Sequence, residues 1–111
     1  MSHADEYLKS MNRHIDLEAK RTIEMIKKEL EIIDGVPYEI HMEYVNEMPA
    51  RVLRIVHYHK ESLGKEDKLF AEAYVGRIKS FLRSKASDMH SLDGSFPEMM
   101  KSRLEDLARR V

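Results

Sequence analysis

The chain contains no cysteine, no tryptophan and no glutamine, and its 111 residues include four glycines, three prolines and two asparagines. Without cysteine there is no disulfide framework and no thiolate chemistry. That absence suits a reducing compartment. No run of about 18 apolar residues occurs, so no stretch reads as a membrane-spanning helix. The opening Ser2-His3-Ala4-Asp5-Glu6 has no basic start and no apolar core, so it does not read as a secretory signal, and a cytoplasmic location is expected. A Gly-rich phosphate loop, a Gly-x-Ser-x-Gly elbow and a His-Glu-x-x-His helix are all missing. Serine, histidine and aspartate are present, but nothing local marks a triad.

What the chain has in abundance is charge. Asp and Glu number 20, Lys and Arg 19, and charged residues make up 35% beside 42% hydrophobic ones. That balance is normal for a folded soluble protein and argues against disorder. The length predicts one domain, residues 1–111, with no repeat and no linker.

Residues 3–33 read as one long helix. Leu8, Met11, Ile15, Ala19, Thr22, Ile26, Leu30 and Ile33 recur at spacings of three and four, and Ile23 widens the stripe. Ser2 with Asp5 resembles a capping box, and Gly35 and Pro37 supply a stop. From Pro37 the pattern changes. Tyr38, Ile40, Met42 and Tyr44 alternate with polar residues, Asn46 to Pro49 interrupt, and Arg51 to His59 is rich in β-branched and aromatic residues. Alternation on both sides of a proline-containing break predicts a β-hairpin. One face would carry Tyr38, Ile40, Met42 and Tyr44 beside Val52, Arg54, Val56 and Tyr58.

Lys60 to Gly64 reads as a loop, with Ser62 or Gly64 able to cap a helix over about 65–85. Its stripe is Leu69, Phe70, Ala73, Tyr74, Arg77, Ile78, Phe81 and Leu82. Gly76 lies within it, beside Ala73 and Ser80, a small-residue strip suited to close approach by another element. Ser87 to Gly94 reads as a second loop. Ser95, Pro97 and Glu98 start a final helix to about Arg109, burying Phe96, Met99, Met100, Leu104 and Leu107. The expected fold is therefore α+β, in the order α-β-β-α-α.

This arrangement predicts a homodimer. A helix of 31 residues is about 46 Å long, against a radius of gyration of about 13 Å for a domain of this size. A lone two-stranded hairpin is too small a sheet to stand by itself. Pairing of the long helix with its twin, and of the two hairpins, answers both points.

Three groups of residues are candidates for function. Glu39, His41, His57 and His59 share the polar face of the predicted hairpin. His-x-His on a strand with a carboxylate opposite could hold a divalent transition metal, the one cofactor considered. A basic set, Arg77, Lys79, Arg83, Lys85, Lys101, Arg103, Arg109 and Arg110, falls in the two last helices. Residues 1–50 carry eleven acids and six bases, whereas residues 51–111 carry nine acids and thirteen bases. A basic stripe can neutralise phosphates, although a sequence pI near 6.6 is low for a nucleic-acid binder. Lastly, Arg54 with Tyr44 and Tyr58 on the apolar face requires an anion, supplied by a ligand or by Glu24 or Glu31 of the first helix.

The favoured functional reading is a small non-catalytic interaction or regulatory protein that presents a surface to a macromolecular partner, a protein first of all. A nucleic-acid-binding protein is the alternative. A metal-dependent enzyme or sensor using the hairpin histidines is the third reading.

Overall fold

The computed structural model describes residues 3–34, 38–89 and 95–111, with the side chains of residues 4, 32–34, 38–42 and 95–97 excepted. Four helices account for almost all of it: α1 (His3–Asp34), α2 (Tyr38–Glu66), α3 (Lys68–Met89) and α4 (Ser95–Arg110). There is no strand among the described residues. The α+β expectation is thus corrected to an all-helical bundle, and the predicted hairpin to the single long helix α2.

The reason lies in which side chains are buried. Val45, Met48, Val52, Val56 and Leu63 are all in the core. They recur at three, four, four and seven, the spacing of one helix face. Pro49 is inside the helix and does not end it. Strand propensity in Val52 to Val56 yields to burial, because the same residues pack equally well from a helix. The predicted loop at Lys60 to Gly64 is likewise helical. The true break is the single residue Asp67, whose Oδ1 accepts a 2.8 Å hydrogen bond from the Leu69 amide. That is an N-cap contact, so Asp67 and not Ser62 or Gly64 starts α3. The second predicted loop, Ser87 to Gly94, is helical in its first part, since α3 continues to Met89. Residues 90–94 lie outside the described residues, as do the proposed caps and stops at Ser2, Gly35 and Pro37 and the Ser95 side chain.

Cross-helix pairs give the topology. Glu29 meets Arg51, Glu18 meets His59 and His14 meets Glu66, so α1 runs antiparallel to α2. Thr22 meets Tyr74 and Asp16 meets Arg77, which seats α1 on α3 as well. α4 packs on α3 and on α2, and among the described residues α1 and α4 make no close approach. The α2–α3 pair is therefore central, with α1 along one side and α4 along the other. The core joins Ile15, Ala19 and Ile26 of α1 to Tyr74, Ile78 and Leu82 of α3 and to Met100, Leu104 and Leu107 of α4.

α1 outruns this body. Its contact between His14 and Glu66 already reaches the last residue of α2. Met11 still packs on the core and, with Tyr7 and Ser10, borders Glu66 and Phe70 at the turn, so the part of the helix beyond it, residues 3–10, is about 12 Å long. The molecule measures 56 × 26 × 22 Å, with a radius of gyration of 16.0 Å, against about 13 Å for a compact domain of this length.

Gly76 corrects a smaller expectation. A Cβ placed there meets no atom within 4 Å, so the residue does not admit a neighbouring element. Gly76→Ala removes a helix-interior glycine at no steric cost and is expected to stabilise the protein by about 1 kcal/mol. A urea-unfolding midpoint that falls on this substitution would contradict the exposed helical setting.

Candidate functional site

Two features stand out once the helices are in place: a polar knot inside the bundle and a pair of surfaces at the α2–α3 turn. The knot begins with Thr22, the polar residue on the apolar stripe of α1. Its Oγ1 lies 2.7 Å from the Tyr74 hydroxyl, and both side chains are fully buried. Beside them Glu18 of α1 accepts from His59 Nδ1 at 3.1 Å with one oxygen and from Arg21 at 3.1 Å with the other. The His59 ring lies 6.4 Å from the Tyr74 ring. Three helices thus meet through polar groups at one level. Burial pushes the Tyr74 phenol up to about 12, the hydrogen bond with Thr22 working against that rise and the Glu18 charge adding to it. A fully buried neutral phenol has no access to a substrate, so this cluster is a clamp between helices.

The first surface at the turn is the overhang of α1. Leu8 occupies the stripe that buries Ile15, Ala19 and Ile26, seven residues before Ile15, yet it is 48% exposed. Tyr7 is 56% exposed and lines a shallow depression of about 270 Å³ with Ser10, Met11, His14, Glu66 and Phe70. Leu69, just past the turn, is 62% exposed.

The second surface is a groove of about 500 Å³ lined by His57, Lys60, Glu61, Gly64 and Lys65 of α2 and Lys68 and Ala71 of α3. It lies on the α4 side of the molecule. Gly64 is eighteen residues beyond Asn46, which is five full helical turns, and Asn46 receives a hydrogen bond from Arg103 of α4. Ala71 forms a small apolar floor, and a Cβ at Gly64 would sit 3.6 Å from it.

The residues singled out from sequence are differently disposed. His57 and His59 are two apart on a helix, about 200° around its axis, so the shared strand face does not exist. His57 is exposed, while His59 is engaged with Glu18. The side chains of Glu39 and His41 lie outside the described ones. Among the described residues no group of three His, Cys, Asp or Glu could hold a metal ion. Arg54 is exposed and donates to the Ala50 carbonyl of its own helix at 3.4 Å. Tyr58, at 73% exposure, is on the surface as well. It is Arg51 that bridges to α1, through Glu29 at 3.4 Å, with Glu47 at 3.1 Å and the Tyr44 ring 5.8 Å below.

Of the eight basic residues, five are already engaged. Arg77 pairs with Asp16, Lys101 with Glu105, Arg109 and Arg110 with Asp106, and Arg103 with Asn46. Lys79, Arg83 and Lys85 of α3 make no ion pair among the described residues. No helix among the described residues is long and apolar enough to cross a membrane.

Compared with family models, curated proteins and solved structures, the chain matches none. Its function has to be argued from these surfaces. The excess length of α1 was expected from the sequence, whereas the lysine-lined groove and the roles of Glu18, Thr22 and Tyr74 were missed. Thr22 carried a usable signal, since a hydroxyl on a buried stripe requires a partner.

Proposed function

We propose that the protein is a small non-catalytic interaction protein, regulatory in effect, and that it binds a macromolecular partner through the overhang of α1. The observation that carries this reading is Leu8, a core-stripe residue left 48% exposed because the helix continues past the body that covers the rest of the stripe. A leucine and a tyrosine held in water on a preformed helix gain by being covered, at roughly 25 cal/mol per Å² of apolar area. The helix is ordered before binding, so little ordering entropy opposes the contact. No cofactor belongs to this reading. A cytoplasmic setting does, and it suits a chain without cysteine. Nucleic-acid binding is the weaker alternative, because Lys79, Arg83 and Lys85 are what remain to meet phosphates once the other five basic residues are engaged.

A photo-reactive amino acid at position 8, expressed in cells of the source organism, is expected to form protein adducts on irradiation. The same group at position 21, exposed and facing away from the stripe, serves as the comparison. Equal adduct yields at the two positions, or no protein adduct at position 8, would end the proposal.

A further inference from the structure

The overhang and the lysine-lined groove lie at the same end of the molecule but on opposite sides of the α2–α3 pair. We infer that they fit each other in a reciprocal homodimer, with the α1 overhang of each copy seated in the groove of the other. This inference rests on the overhang being a binding face and names its occupant.

Length supports the match. The groove follows His57 to Lys65 of α2, nine residues or about 14 Å of helix. The overhang, residues 3–10, is about 12 Å long. Chemistry supports it too. The groove has a small apolar floor at Ala71 and Gly64, and its rim carries Lys60, Lys65, Lys68 and His57 against one acid, Glu61. The overhang offers Leu8 on its stripe and Tyr7 about 100° to one side, both exposed, and acids Asp5 and Glu6 in its first turn. At 100° per residue Asp5 flanks Leu8 by about 60°, with Lys9 about 100°, Arg13 about 140° and Glu6 about 160° away. Of these four charges Asp5 lies nearest the contact, and Arg13 and Glu6 face away from it.

Symmetry completes the case. Two copies set tip to tip about a two-fold axis, perpendicular to the long axis and in the plane of α2 and α3, exchange sides. The overhang that runs above one α2–α3 pair then lies over the groove side of the other, with its stripe still turned inward. The contact is made twice, as an isologous interface requires, and doubling helps it approach the about 1,200–2,000 Å² of a stable complex. Pairing of α1 with its twin would leave the groove empty.

The native chain has no cysteine, so single cysteines map the contact without background. Leu8→Cys and Glu61→Cys, both at exposed positions, are purified separately, mixed and oxidised. The expected result is a mixed disulfide joining position 8 of one chain to position 61 of the other, because bridging needs Cα atoms within about 7 Å. Light scattering on the native protein is expected to give twice the 13.1 kDa chain mass. Leu8→Asp should raise the dimer dissociation constant by about a hundredfold, two leucines being lost per dimer. Lys60→Glu with Lys68→Glu should weaken it as well. A dimer that yields only the 8-to-8 disulfide, or that ignores the lysine substitutions, overturns the groove assignment. A monomeric mass at all concentrations overturns the dimer. Neither result touches adducts formed with another protein at position 8, so the wider reading fails only on its own experiment.

Discussion

Tyr74→Ala is expected to lower the free energy of unfolding by about 3–5 kcal/mol, the range for losing a buried aromatic ring. Among the described residues Tyr74 is the largest fully buried side chain, and its hydroxyl joins α3 to Thr22 of α1. Truncation opens a cavity between those helices and leaves the Thr22 hydroxyl without its partner. Tyr74→Phe keeps the ring and orphans only Thr22, so about 1–3 kcal/mol is expected. The double variant Thr22→Val with Tyr74→Phe removes both polar groups and should recover most of that loss.

The same series has a signature in pH. Tyr74 is raised from 10.0 to about 12 by burial, so the folded state holds its proton more tightly than the unfolded chain does. That contribution is fully present below pH 10 and is lost as pH rises towards 12, up to about 2–3 kcal/mol at the limit. Lysines also titrate in this range, so the difference between native protein and the double variant isolates the phenol. Urea unfolding at several pH values between 8 and 11 measures it. A native curve parallel to that of the double variant, or a loss below 1 kcal/mol for Tyr74→Ala, would mean that α1 does not rest on α3 through this residue.

Legibility in the sequence followed how many signals agreed. In α1 only one period was present, and Ile15, Ala19, Thr22 and Ile26 are the residues it buries. In α4 the spacing of Met100, Leu104 and Leu107 was equally plain. The stretch from Tyr38 to His59 held two patterns at once. Tyr38, Ile40, Met42 and Tyr44 alternate with period two, while Val45, Met48, Val52 and Val56 keep helical spacing. Pro49 and the β-branched residues weighted the first pattern, and only the packing of α2 between α1, α3 and α4 decides for the second.

That one change of period displaced the site residues as well. A strand puts His57 and His59 together and turns Arg54 inward, whereas a helix separates the histidines and brings Arg51 to face Glu29 of α1. The ion pair expected from Arg54 to Glu24 or Glu31 rested on the hairpin face, and the pair found instead joins Arg51 to Glu29. The excess length of α1 was readable. Leu8 as the exposed end of its stripe was not, because exposure depends on where α2 stops.

Pro49→Ala puts the corrected element to a direct test, with an expected gain of about 1–3 kcal/mol. Pro49 is the twelfth residue of α2. It has no amide hydrogen to give the Val45 carbonyl, and its ring crowds the preceding turn. Proline in a helix interior is about 3 kcal/mol worse than alanine, offset here by up to about 1 kcal/mol of lost rigidity in the unfolded chain. Pro49 is only half-buried, so little packing is forfeited with the ring. For a chain near this size each 1 kcal/mol moves the midpoint of thermal unfolding by roughly 4–8 °C, a rise easily followed by circular dichroism. In a hairpin the same proline would sit in the connecting loop, where it restricts the unfolded chain and satisfies the turn, and alanine there would lower the midpoint. A fall would therefore reinstate the strands, whereas a rise requires that the helix pass through residue 49. Val45, Met48, Val52 and Val56, all buried on one face across that residue, are the reason such a proline can be carried: packing on both sides of the defect holds a helix whose backbone bond is missing.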